Sequence, residues 1–142
     1  MVSESAIFAG AAYEPYAVTK SFTLTGGDGT KTVYVKYRDI AGNETSMVSD
    51  TIELDTTVPS VVISSTLSGS TNTVPIPMTI TFSEAVTGFG LSNISVGNGS
   101  AADFAGSGAV YTVNLTPTGD GPVMVDIAAG AAHDVAGNNS LA

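Results

Sequence analysis

Cysteine and tryptophan are both absent from the 142 residues. That excludes a disulfide framework and a thiolate metal site, and leaves stability to an apolar core or to hard cations. Lysine and arginine are almost as scarce: all four, Lys20, Lys31, Lys36 and Arg38, precede Asp39, and nothing after it carries a fixed positive charge. With a formal net charge of −9 the chain cannot assemble the clustered cations that phosphate binding needs, so nucleic acid is excluded as a partner. An acidic surface of this kind attracts divalent cations, and it serves equally well to keep an exported protein dispersed. No run is apolar enough to span a membrane, and Met1 to Ser5 is neither a signal peptide nor a targeting sequence. Histidine occurs once, as His133. A Ser/His/Asp arrangement would have to use it beside Asp134, yet neighbours on an extended segment point to opposite faces and no nucleophile elbow accompanies them, so the chain reads as a non-enzyme.

What is present is a repeat. The string Asp-x-Ala-Gly-Asn occurs as Asp39 to Asn43 and again as Asp134 to Asn138, each time behind a Gly-Asp-Gly turn and an apolar run. In the first copy Gly27-Asp28-Gly29 precedes the alternating run Thr32 to Tyr37; in the second Gly119-Asp120-Gly121 precedes Val123 to Ile127. A period near ninety residues is too long for a solenoid and suits one small β domain per repeat. Thr, Ser, Val, Gly and Ala dominate, and no stretch sustains a helical period over three turns, which is an all-β pattern.

The expected organisation is the later part of one module over residues 1–55, then a second module over 56–142. In the first, strands are expected at Met1 to Ser5, Lys20 to Thr25, Lys31 to Arg38 and Met47 to Leu54, with Tyr13 to Tyr16 a short edge segment. Asp55 to Pro59 reads as a short, stiff joint, because proline removes a donor and restrains its predecessor. In the second, Val61 to Thr66, Pro77 to Phe82, Ile94 to Val96, Val110 to Leu115 and Pro122 to Ile127 read as strands, with the glycine-rich stretch from Gly97 to Gly108 as a turn. Each module reads as lacking strands, which flanking chain or a neighbouring copy would supply.

Asp55 to Ser60, the run Ile80-Thr81-Phe82-Ser83-Glu84-Ala85-Val86-Thr87-Gly88-Phe89, Ser107 to Val113 and Asp134 to Asn138 together resemble the bacterial Ig-like repeats of large surface and exported proteins. Residues 13–55 resemble the end of a related Ig-like or fibronectin-like repeat. The likeness implies tandem Greek-key β-sandwiches, a place in a secreted or cell-surface array beside neighbouring repeats, and often calcium at the joints.

In an Ig-type sandwich the start of the first strand, the loop after the second and the loop after the sixth gather at one pole. Here those are Asp55, Glu84, and Asp134 with Asn138, and three carboxylates with an amide oxygen suit the six to eight oxygens of Ca²⁺. Asp39 and Asn43 would form the equivalent half-site of the first module, and Asp28 or Glu53 is a further possible contributor. The plain alternative is a turn in which the aspartate binds backbone amides and Gly42 or Gly137 takes positive φ, with no metal. Two functions therefore stand: a spacer module of an adhesin or extracellular filament, and an adhesion module binding glycan, ice or a receptor.

Overall fold

A computed structural model describes all 142 residues, which divide into two compact units, Met1–Thr56 and Thr57–Ala142. The chain is all-β, with every strand pairing antiparallel and no α-helix.

The first unit holds one three-stranded sheet. Its members are β1 (Val2–Ser3), β2 (Gly29–Val35) and β3 (Val48–Leu54), in the order β1-β2-β3. The Val33 and Val35 alternation that predicts a half-buried strand lies in β2, whose residues are nearly all half-buried. β3 is exposed over six of its seven residues, so neither of its faces is covered. Lys20 to Thr25, expected as a strand, joins no sheet. Its ends are held by side chains instead: Lys20 pairs with Glu14, and Thr25 donates its backbone N–H and its hydroxyl to the Glu4 carboxylate. At the end of the run the Thr25 N–H, a donor a ladder would use, goes to a side-chain carboxylate.

The second unit is built from two sheets. One contains β4 (Val61–Ser65), β5 (Ile76–Val86) and β7 (Gly99–Pro117) in the order β4-β5-β7; the other pairs β6 (Ile94–Gly97) with β8 (Met124–Ile127). A single 3-10 turn, Leu91–Asn93, leads into β6. Along β5 the even positions Ile80, Phe82 and Val86 are buried while Thr81, Ser83 and Ala85 are exposed, the period-two signature of a strand with one face on a core. Ile80, Phe82, Tyr111, Val113 and Leu115 from one sheet meet Ile127 from the other, with Ile94, Val96 and Val125 packed against them. This is sheet-on-sheet packing, a β-sandwich. Each fully buried aliphatic or aromatic side chain contributes about 1.5–3 kcal/mol. Within the core, Phe89 sits edge-on to Phe82 and Tyr111 at centroid distances of 5.1 Å in both pairs, the arrangement aromatic quadrupoles favour.

The glycine-rich stretch expected to be a turn over Gly97 to Gly108 is mostly extended. β7 runs through it, and then doubles back: Phe104 stacks on Tyr111 at 5.5 Å, and Asn114 donates to Asp103 at 3.1 Å. Residues that far apart in one straight strand would be about 23 Å or more distant. The reversal is therefore confined to the few residues around Ser107 and Gly108, with Gly106 at φ 117° and Gly108 at φ 66°. At Gly106 an added Cβ would lie 2.4 Å from the Val110 carbonyl oxygen, so the two arms meet there too closely for any side chain. Glycine thus serves two ends in this stretch, close approach of the arms at Gly99 and Gly106 and the turn itself at Gly108.

Candidate metal centre

Backbone pairing outside the regular strands assembles the site. The segment entering the second unit is stitched to β5 by Ser83 donating its N–H to the Ser60 carbonyl at 2.9 Å, while Ser60 donates to the Ser83 hydroxyl at 3.0 Å. Pro59, expected in a joint, is fully buried, and its carbonyl accepts from Leu141 at 2.8 Å. Just beyond the end of β5, Thr87 and His133 exchange both backbone hydrogen bonds, at 2.7 and 3.1 Å. These two sets of bonds bring the entry segment, the end of β5 and the Asp134 loop to one place.

Glu84 falls on the same parity as Ile80, Phe82 and Val86, so β5 aims a carboxylate along its core face at the strand's end. There it meets Asp55 and Asp134: each of the three offers a carboxylate oxygen, and these oxygens lie within 4.8 Å of one another. Asp55 and Glu84 are half-buried and Asp134 is only 2% exposed. Such a cluster can hold a metal ion.

The Asp134 carboxylate is held in place by its own loop. Asn138 donates its backbone N–H to one carboxylate oxygen at 2.9 Å and its side-chain amide to the other at 2.8 Å. Asp134 N–H donates to the Asn138 carbonyl at 3.2 Å, and Gly137 N–H to the Asp134 carbonyl at 3.3 Å. Burial is the largest influence on this carboxyl and pushes its pKa up. The hydrogen bonds from Asn138, side chain and backbone, and from the Gly137 and Ala136 backbone outweigh it together, leaving the pKa below the ordinary value. Asp134 thus stays ionised in a buried place. Asn138 stands at the site as a donor to Asp134, presenting its N–H groups on that side.

The first unit repeats the loop nearly atom for atom. Asn43 donates to the two Asp39 oxygens at 2.8 Å each, Asp39 N–H reaches the Asn43 carbonyl at 3.0 Å, and Gly42 N–H the Asp39 carbonyl at 3.1 Å. Gly42 and Gly137 share φ 94°, the left-handed value the turn requires of glycine. The Asp39 pKa is likewise lowered, first by the Asn43 side chain. Asp39 is nevertheless exposed and has no second and third carboxylate gathered to it, so it matches the loop of Asp134 without matching its cluster. Asp28 accepts from the Thr56 N–H and hydroxyl, and Glu53 from the Thr30 hydroxyl; neither belongs to the three-carboxylate group. His133 is exposed while Asp134 is buried, so the two point apart as adjacent residues on an extended segment do. The Thr87 to His133 pairing, which does most to bring Glu84 to Asp134, had no signal in the sequence because a single bridge leaves no periodicity.

A two-sheet antiparallel module with a polar pole of this kind is of the immunoglobulin type. Residues 55–142 match the family model described as Bacterial Ig-like domain, and the chain belongs to that family. The match begins at Asp55, so it encloses all three carboxylates. The family is a non-catalytic one, typical of surface and exported proteins. No curated protein and no solved structure gives a match to this chain.

Proposed function

We propose that the chain is a spacer module of a repetitive bacterial surface adhesin or extracellular filament, and that Ca²⁺ held by Asp55, Glu84 and Asp134 stiffens it. The observation that carries this reading is the meeting of three carboxylates within 4.8 Å, one of them buried. Like charges so close and partly out of water repel one another, and a cation of matching size turns that repulsion into cohesion. Oxygens on a Ca²⁺ shell of radius 2.3–2.6 Å are at most about 4.6–5.2 Å apart, a span the cluster already meets. Three carboxylates supply up to six ligand oxygens, and water completes the shell. Asn138 acts by orienting Asp134, and Asp39 with Asn43 supplies the matching loop of the first unit. Neighbouring Ig-like repeats, from the same chain or as strand-donating copies, are the partners this role calls for. The repeated Asp-x-Ala-Gly-Asn loop and the exposed β3 edge support that part.

Isothermal titration of the chelator-treated chain with CaCl₂ tests the metal. A single saturable heat that disappears in Asp134→Ala is expected; absence of heat together with an unchanged melting temperature would remove calcium from the proposal.

A further inference from the structure

We infer that the first unit binds a carboxylated sugar, of the uronic or sialic acid type, in a groove where Arg38 anchors the carboxylate. The groove has a volume of about 750 Å³ and is lined by Tyr13, Tyr16, Lys36, Tyr37, Arg38 and Ile40 among others. That lies within the range of about 300–1,000 Å³ usual for small-ligand sites. Its aromatic side chains are not spent on a core. Tyr16 is 78% exposed and Tyr37 51%, with the rings 6.3 Å apart and inclined at 52°. A pair of open tyrosine faces beside charged groups is the surface on which the C–H face of a pyranose stacks, with each hydroxyl able to bond the sugar.

The charge around these rings selects the ligand. All the fixed cations of the chain lie in the first unit, and Lys20, Lys36 and Arg38 line this groove or the one adjoining it. Lys20 is neutralised by Glu14 and Lys36 by Glu44. Arg38 takes no part in either pair; its guanidinium carbon lies 4.0 Å over the centroid of the Tyr13 ring. Stacking occupies the face of a guanidinium and leaves its edge, a rigid fork of N–H donors, for a planar anion. Three carboxylates stand near Arg38, and each has another partner: Asp39 is turned to Asn43, Glu14 pairs with Lys20, and Glu44, which also feels the Arg38 charge, pairs with Lys36. One fork matches one carboxylate. A densely charged phosphate polymer is repelled by the remaining acidic surface of a chain carrying −9. Apolar ring faces beside a single anion receptor therefore describe a sugar ring bearing a carboxylate.

The chain lacks tryptophan, and three of its five tyrosines line the groove, so tyrosine fluorescence reads the site directly. The test titrates the full chain in EDTA, which keeps calcium from bridging acid sugars to the carboxylate cluster, with digalacturonate and in parallel with neutral digalactose. Saturable binding of the acid sugar is expected, with amide shifts at Tyr16, Tyr37 and Arg38, and affinity at least tenfold weaker for the neutral sugar. Arg38→Gln should lose about tenfold to a hundredfold in affinity, and Tyr16→Ala, which removes an exposed ring, should weaken binding with the amide spectrum of β2 and β3 intact. The inference is overturned by no saturable change at millimolar digalacturonate, by equal affinity for the neutral sugar, or by an affinity that Arg38→Gln leaves unchanged. Self-association in sedimentation that buries the groove resonances would overturn it too.

Discussion

Saturating the carboxylate cluster with Ca²⁺ should raise the melting temperature of the second unit by about 10–20 °C, and Glu84→Gln should abolish the rise. The three carboxylates lie within 4.8 Å before any ion arrives, so binding requires little rearrangement and its free energy appears as stability. Dissociation constants of extracellular Ca²⁺ sites fall at about 10⁻⁴–10⁻³ M, so a hundredfold excess takes about 10–100 mM CaCl₂. With calcium a hundredfold above the dissociation constant, ligand linkage contributes about 2.7 kcal/mol. A domain of 60–100 residues gains about 4–8 °C per kcal/mol, which gives the stated rise. Glu84→Gln keeps the shape of the side chain and removes one negative charge from the core-facing end of β5. In chelator the variant should therefore melt no lower than the parent, because the repulsion it relieves has no cation to offset it. The assay is scanning calorimetry of the full chain in EDTA and in rising CaCl₂, with NaCl adjusted to hold the ionic strength. Mg²⁺ at the same concentration should give a smaller rise, since its shell draws oxygens to within about 4.0–4.2 Å of one another and it sheds water reluctantly. A melting temperature indifferent to calcium, or a full rise retained in Glu84→Gln, would refute the reasoning.

Three further outcomes follow from the packing and the loop. Ile80 is fully buried between the sheets, and Ile80→Ala should cost about 2–5 kcal/mol in urea unfolding of the second unit. Gly106 and Gly108 separate two uses of glycine in one hairpin. Gly106→Ala must displace the Val110 carbonyl and the Tyr111 backbone, whereas a Cβ on Gly108 meets nothing within 4 Å. The first should therefore lose more stability in the same urea assay than the second, which incurs only the roughly 1–2 kcal/mol of a left-handed alanine. For pH, the Asp134 pKa is lowered in the folded state. A depressed carboxyl stabilises the fold above its unfolded pKa and loses that stabilisation as pH falls through its folded one. In chelator the melting temperature of the second unit should accordingly fall as pH drops from about 5 through the ordinary aspartate value near 3.8 and below it. Asp134→Asn should flatten that fall, while Asp39→Asn should leave it unaltered.

The parts of the fold carried by local pattern were legible in the sequence. Alternation gave β2 and β5 close to their observed places, and Asp-x-Ala-Gly-Asn announced a turn with glycine at positive φ, which both copies adopt. Bringing Asp55, Glu84 and Asp134 together needed more than pattern, and it came from placing the Ig-type strand order on the repeat. The Gly97 to Gly108 stretch misled because glycine, alanine and serine serve a turn and a close pairing of strands equally, and composition cannot distinguish them. Lys20 to Thr25 differs for another reason: a short run becomes a strand only through pairing with distant chain, and here the contacts come from the Glu4 and Glu14 side chains, which no local pattern shows. The grouping of Tyr13, Tyr16 and Tyr37 around Arg38 depends on an irregular segment meeting the chain just after β2, for which no periodic signal exists.

Asp39 and Asp134 make the same hydrogen bonds although the first is exposed and the second is buried beside two further carboxylates. A loop whose shape comes from its own aspartate and asparagine does not depend on what surrounds it. The string is therefore portable: its corner comes with its own five residues, and the charges gathered around Asp134 but not around Asp39 can be present or absent without altering it.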